Sequence, residues 1–297
     1  MEALHKSCAL LKGAPAPRAF LLCARSLASS TESWRFDGTG QSVPDLSARD
    51  RLYPNHQPLN FIQRGAVAVF SAFGAALRPE RADLVAALGE TTGSTAFRAM
   101  QSRMLQSTVG RRILAEKPRI TDAVLDQAAS QAPGTLGHAY GQYMGRRHFR
   151  ADERPPVRFL DDRELAYVAQ RARETHDLWH VLFNCPTTVL GELTLKGLEF
   201  VQTGLPMAAL SVAGAQWRLK QEDRVRLNSQ LLPWALRAGS ECADLMCIYY
   251  EEHFQENLET LRQRWRITPA PLVARAGALA TSHADGSKAL VASQPPV

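Results

Sequence analysis

Two histidines four residues apart, in the run His176-Asp177-Leu178-Trp179-His180, and an acid, Glu192, twelve residues beyond the second, constrain this chain more than any other feature. On a helix the two imidazoles share one face about a turn apart, the spacing by which helical pairs grip a metal ion. Glu192 cannot join them on the same cylinder, because sixteen residues from His176 is about 24 Å along the axis and about 160° round it. A chain that closes this constellation must run helix, turn and returning helix. Cys185-Pro186-Thr187-Thr188 supplies the turn. Proline is excluded from a helix interior but tolerated in a first turn, and Thr187 or Thr188 can cap the second helix.

Two imidazoles and a carboxylate suit zinc, and equally Fe2+ or Mn2+, so the existence of an ion is better determined than its identity. Asp177 is rotated about 100° from His176, which suits it to orient a ligand or handle a proton. Cys185, at the bend, offers a fourth donor or simply fills a small gap. The bland alternative is a pair of half-buried histidines hydrogen-bonded by Asp177 and Glu174, on a helix whose apolar side is Leu178, Val181 and Leu182. It draws support from the usual protease motif, which has Glu where this chain has the shorter Asp177.

The surrounding chain reads as mostly helical. Leu165, Val168 and Ala172 form a stripe leading to His176, behind the acids Asp161, Asp162 and Glu164 that favour a helix N-terminus. Further helices are expected over 61–77, 81–93, 96–116 with a break at Gly110, a segment capped by Thr121, a short helix within 132–148 presenting Tyr140, Tyr143 and Met144, and then 189–204, 205–219, 226–239 and 241–265. Repeated period-two runs with hairpin turns are missing. The predicted architecture is a single-domain multi-helix bundle.

Three segments are distinguished. In residues 1–31 Glu2 is the only acid, while Lys6, Lys12, Arg18 and Arg25 are spaced among Ala, Leu, Phe and Ser, which reads as a mitochondrial transit peptide. That segment carries half of the net charge of +6, which speaks against a nucleic-acid surface. Residues 32–268 form the helical domain, opening with an irregular lead-in to residue 60. The Ala, Gly, Ser and Pro composition of 269–297 predicts a disordered tail. Five scattered cysteines build no disulfide framework. No apolar run reaches the roughly 18 residues a membrane span needs. Residues 61–77 and 205–217 are nonetheless nearly uncharged, either as core helices or as faces meeting lipid beside an apolar channel.

Beyond the short signature, LYPNHQPLN (52–60), LGETTG (88–93), KPRIT (117–121), RFLDDRELAYVAQRARETHD (158–177), EFVQTGLPM (199–207), LLPWALRAG (231–239) and YYEEHFQENLETLRQRWRI (249–267) resemble the ubiquinone (coenzyme Q) biosynthesis protein 4 family over roughly residues 50 to 270. The family's His-Asp-x-x-His, eleven residues, Glu signature falls on His176, Asp177, His180 and Glu192 without a substitution. One departure is Trp265-Arg266, where relatives look more like Leu-Gly. The resemblance implies a helical, peripheral protein on the matrix side of the mitochondrial inner membrane. It implies zinc on the four signature residues, a prenyl lipid in an apolar channel, and partnership with other ubiquinone biosynthesis proteins in a multi-subunit complex; a homodimer stays open.

The activity implied is a metal-dependent carboxy-lyase: C1 decarboxylation of 4-hydroxy-3-methoxy-5-polyprenylbenzoate to 2-methoxy-6-polyprenylphenol, with Asp177 as the catalytic proton donor. Oxidative decarboxylation with hydroxylation at C1 is an alternative, and it would require an oxidant and a redox metal. The rival reading is a noncatalytic zinc-containing prenyl-lipid carrier and scaffold. Hydrolysis of phosphates or peptides shares only the paired histidines.

Overall fold

The computed structural model describes residues 51–78 and 81–271, and those from Leu52 onward belong to one helical body. The transit-peptide expectation over 1–31, most of the irregular lead-in, and all of the expected tail after Pro271 lie outside the described residues. Among the described residues there is no strand, only one isolated bridge between Thr135 and Asn257.

The central element is α7, Arg163–Phe183, whose position follows from the helices around it. Before it come α1 (Phe61–Leu77), α2 (Ala82–Thr92), α3 (Ser94–Gln106), α4 (Thr108–Glu116), α5 (Asp122–Ala129) and α6 (Leu136–Gly145). After it come α8 (Val189–Thr203), α9 (Pro206–Ala215), α10 (Gln221–Arg226), a π-helical turn at Leu227–Leu231, α11 (Leu232–Glu241) and α12 (Leu258–Arg264). Helices α3, α4, α6 and α8 all pack on α7. Its length is nearly all buried, from Leu165 and Val168 to Leu178, Trp179, Leu182 and Phe183. At about 1.5–3 kcal/mol for each fully buried large apolar side chain, this wall holds the histidine-bearing helix in place.

Buried ion pairs fix α7 further. Arg171 is fully buried and bonds Glu251 at 2.5 and 2.9 Å. Glu90, 1 % exposed, accepts the amides of Arg158 and Phe159 and the Arg173 guanidinium, each at 2.8 Å. Removing one partner of such a pair strands the other, at a cost of about 3–5 kcal/mol.

Two sequence expectations are corrected. The break within 96–116 falls at Ser107, not Gly110: Ser107 is extended and its hydroxyl accepts the Gly110 amide at 3.2 Å. Gly110 serves close approach instead, since a Cβ there would stand 2.3 Å from the Met104 carbonyl oxygen. The long helix expected over 241–265 shrinks to α12 plus two 3-10 turns, Leu245–Cys247 and Tyr250–Glu252. Here Asp244 and Asn257 act as caps, and Phe254 and Glu256 spend their carbonyls on the Gly137 and Leu136 amides at 2.9 Å. Beyond residue 268, the Ala270 amide donates to the Phe183 carbonyl at 2.7 Å.

The apolar segment 61–77 is a helix but not a core helix. Only Ser71 is buried, and Phe61, Ile62, Phe70, Phe73 and Leu77 are each at least 65 % exposed. Helix α9 is intermediate: Met207 and Ala208 are buried, whereas Leu210 faces outward, as does Trp217 just beyond it. Arg266 has a φ of 55°, the left-handed conformation for which glycine carries no steric penalty. That is the position at which the resemblance expects glycine.

Candidate metal centre

The connection between α7 and α8 is built residue by residue. Asp162 caps the start of α7 by accepting the Glu164 and Leu165 amides, and Asn184 ends it in the left-handed conformation. The chain then passes through Cys185 and Pro186. Thr188 caps α8 by accepting the Gly191 amide at 3.2 Å. Pro186 therefore precedes the cap instead of occupying the first turn. Gly191 is required at this bend, since a Cβ there would lie 2.0 Å from the Pro186 carbonyl oxygen.

This bend sends α8 back along α7. Glu192 Oε1 lies 3.2 Å from His180 Nε2, and Glu192 Oε2 lies 3.8 Å from His176 Nε2. One donor atom from each of His176, His180 and Glu192 falls within 4.8 Å of the other two, so the three form a group that could hold a metal ion. Glu192 stands in the first turn of α8, where the helix end favours a carboxylate.

The far side of each imidazole is also engaged. His180 Nδ1 lies 3.0 Å from the Cys185 carbonyl oxygen, and His176 Nδ1 lies 3.2 Å from Glu199 Oε2. The second contact is close enough for ion pairing but is not an aligned hydrogen bond. Carbonyl and carboxylate partners of this kind hold a ligating imidazole in the tautomer that leaves Nε2 free for metal. Two Nε2 atoms and one carboxylate are the donor set of open zinc sites, and the chemistry of these residues fits such an ion. Neither histidine is bonded by Glu174, which instead pairs with Arg119 and the Ile120 amide. The bland pairing is therefore not the one formed.

Charge at the site follows from these contacts. Burial and Lys196 both oppose protonation of His176, yet Glu192 and Glu199 outweigh them and lift its pKa to about 9. Burial works to raise Glu199, but Lys196, at 2.6 Å, and His176 bring it down to about 2. Glu192 is likewise pulled below the usual carboxylate range by the two histidines, against its burial.

Asp177 is not brought to the three. Both contacts of its Oδ2 are with Arg154, at 2.8 Å from Nη2 and 3.2 Å from Nε. Arg154 Nη2 also donates to the Tyr140 hydroxyl at 2.9 Å. Cys185 contributes its carbonyl; its thiol faces the Phe183 carbonyl at 3.9 Å, and burial pushes it up to about 12. Sequence reasoning missed Glu199, although it lies seven residues beyond Glu192, two turns along one face. It also missed Tyr143, which stacks on His180 with ring centroids 5.3 Å apart. A cleft of about 760 Å³ reaches His180 and Tyr143, with Arg146, Arg147, Leu190 and Leu231 on its walls.

The model of the coenzyme Q (ubiquinone) biosynthesis protein Coq4 family matches residues 53–271. The chain belongs to the Coq4 family. Its relatives include the mitochondrial ubiquinone biosynthesis protein coq4 of Aspergillus niger, 41 % identical over 85 % of this chain and 85 % of the relative. The Xenopus laevis homologue is 40 % identical over 81 % of this chain and 83 % of its own. The Bos taurus homologue is 41 % identical over 74 % and 84 %. A crystal structure of a candidate ubiquinone biosynthesis protein from Nostoc punctiforme shares the fold: its TM-score is 0.54 at 18 % identity, over 68 % of this chain and 97 % of that one. The relatives named above are described as mitochondrial, and among the described residues no helix is long and apolar enough to cross a membrane. The family and the descriptions of these relatives agree with a mitochondrial location.

Proposed function

We propose that this Coq4-family protein holds a divalent cation, zinc in the first instance, on His176, His180 and Glu192 and removes the C1 carboxylate of 4-hydroxy-3-methoxy-5-polyprenylbenzoate. The observation that carries the reading is the convergence of two Nε2 atoms and a carboxylate whose outer partners, Glu199 and the Cys185 carbonyl, are already in place. A cation so held supplies stabilisation of negative charge on a ring or carboxylate oxygen. In the reaction the C1–carboxylate bond breaks, its electron pair stays on the ring, carbon dioxide leaves, and C1 gains a proton. Asp177 is assigned the delivery of that proton: Arg154 holds its Oδ2, and Oδ1 would first take the proton up from solvent and then pass it to C1. The apolar part of the cleft, Val181, Leu190, Leu231 and Leu258, is assigned the first isoprene of the tail. The outward apolar face of α1 suits the matrix surface of the inner membrane, where the other enzymes of the pathway would assemble around the chain.

The test is metal analysis of the purified full chain together with mass spectrometry of the prenylated ring, for wild type, His176→Ala and Asp177→Asn. Loss of both metal and turnover in His176→Ala, and of turnover alone in Asp177→Asn, is the expected pattern. Equal activity of Asp177→Asn would remove that residue from the proton step. Product mass separates simple loss of carbon dioxide from oxidative hydroxylation, for which an oxidant must be supplied. The scaffold reading rests on a different observation, the exposed apolar side chains of α1. Conversion by the purified protein alone would exclude scaffolding as its sole role.

A further inference from the structure

The chain has six tyrosines, and five of their hydroxyls have protein partners. Tyr53, Tyr167 and Tyr250 donate to carbonyls, Tyr249 donates to Glu116, and Tyr140 accepts from Arg154. Tyr143 alone lacks a hydrogen bond among the described residues, although the residue is only 9 % exposed. Its hydroxyl keeps access to solvent and the residue lines the cleft described above, so the hydroxyl is free to donate to a bound molecule.

The Tyr143 ring is clamped between the Arg147 guanidinium, 4.0 Å above its centroid, and the His180 ring beneath. Arg147 is itself tethered, donating to the Thr187 hydroxyl at 2.8 Å and the Tyr143 carbonyl at 2.9 Å. The two carboxylates nearby are already committed, Glu192 to the histidines and Asp177 to Arg154. The cleft that reaches Tyr143 has Arg146 and Arg147 on its lining, just past the end of α6, so an anion entering there meets two guanidinium groups.

We infer that Tyr143 is a ligand-binding residue whose hydroxyl donates a hydrogen bond to a carboxylate oxygen of an aromatic acid in this cleft. The assignment deepens the reading of the preceding subsection and rests on it, since the acid is the group presented beside His176, His180 and Glu192. Arg147 acts as a positioning residue that keeps the ring flat on His180.

Tyr143→Phe keeps the ring, the stack and the packing, and removes only the donor. The experiment is calorimetric titration of the zinc-loaded full chain, wild type and Tyr143→Phe, with 4-hydroxy-3-methoxybenzoate and with 2-methoxyphenol, which lacks the carboxylate. The variant is expected to bind the acid about tenfold more weakly, to bind the phenol as wild type does, and to retain its zinc. Equal affinity of both proteins for the acid, equal weakening for acid and phenol, or no binding of the acid by a zinc-loaded wild type would each overturn the inference. Failure of the wild type to load zinc would instead overturn the metal reading on which it depends.

Discussion

Glu199→Gln tests how the site is tuned, because two consequences of the change oppose each other and separate with pH. Glu199 is buried, with Oε2 3.2 Å from His176 Nδ1 and 2.6 Å from Lys196 Nζ. Removing its charge loosens the imidazole and leaves the Lys196 ammonium uncompensated beside an incoming cation. Losing such an outer partner typically costs 10–100-fold in metal affinity. The same carboxylate also helps to lift His176 to about 9, so below that pH the metal must displace a proton. At pH 7 this competition costs wild type about 100-fold in affinity. Glu199→Gln relieves part of that cost, while Glu192 keeps the remainder. Competition with a chelator of known zinc affinity should therefore find the variant weaker by about 10–100-fold near pH 9.5, with the gap narrowing toward pH 7. A gap that widens as pH falls, or none at either pH, would refute the assignment of Glu199 to His176.

The metal-free protein should melt lower as pH rises from about 6.5 toward 9: a raised histidine pKa contributes stability that is full below the unfolded value and lost through the folded one. Thermal scans kept below about pH 8.5 avoid the buried thiols, whose ionisation in the unfolded chain also costs stability at higher pH; a flat or rising melting temperature there would contradict the contacts described for His176. Gly191→Ala should displace the start of α8, and Glu192 with it, lowering zinc content in dialysed protein, because its Cβ would meet the Pro186 carbonyl at 2.0 Å. Glu90→Ala should lose about 3–5 kcal/mol in denaturant titration, since Arg173 and two amides are stranded. Arg266→Gly should gain up to about 1 kcal/mol by relieving its positive φ, and an unchanged or lowered unfolding midpoint would show that the strain is offset elsewhere.

What could be read in advance was whatever a single segment decides. The periodicity of 161–183, its acidic start and the Pro-Thr-Thr bend determine α7 and α8 locally, so the approach of Glu192 to His176 and His180 was legible from spacing. Residues 241–265 failed for the opposite reason. Their composition is helical, but the Phe254 and Glu256 carbonyls are claimed by the distant amides of Gly137 and Leu136, and no window of sequence contains both partners. Exposure of α1 was undecidable for the same cause, since an apolar helix reads alike whether neighbours cover it or not. The signature itself carried an ambiguity that geometry resolves: Asp177 lies beside His176 in sequence, but helical rotation turns it to Arg154, while Glu199, twenty-three residues away, returns to the His176 ring. Adjacency in sequence thus overstated one carboxylate and hid another. A helix-return-helix site should accordingly be searched at seven-residue spacing from each acid that meets a histidine, because the face that brings the first ligand also brings the residue that orients it.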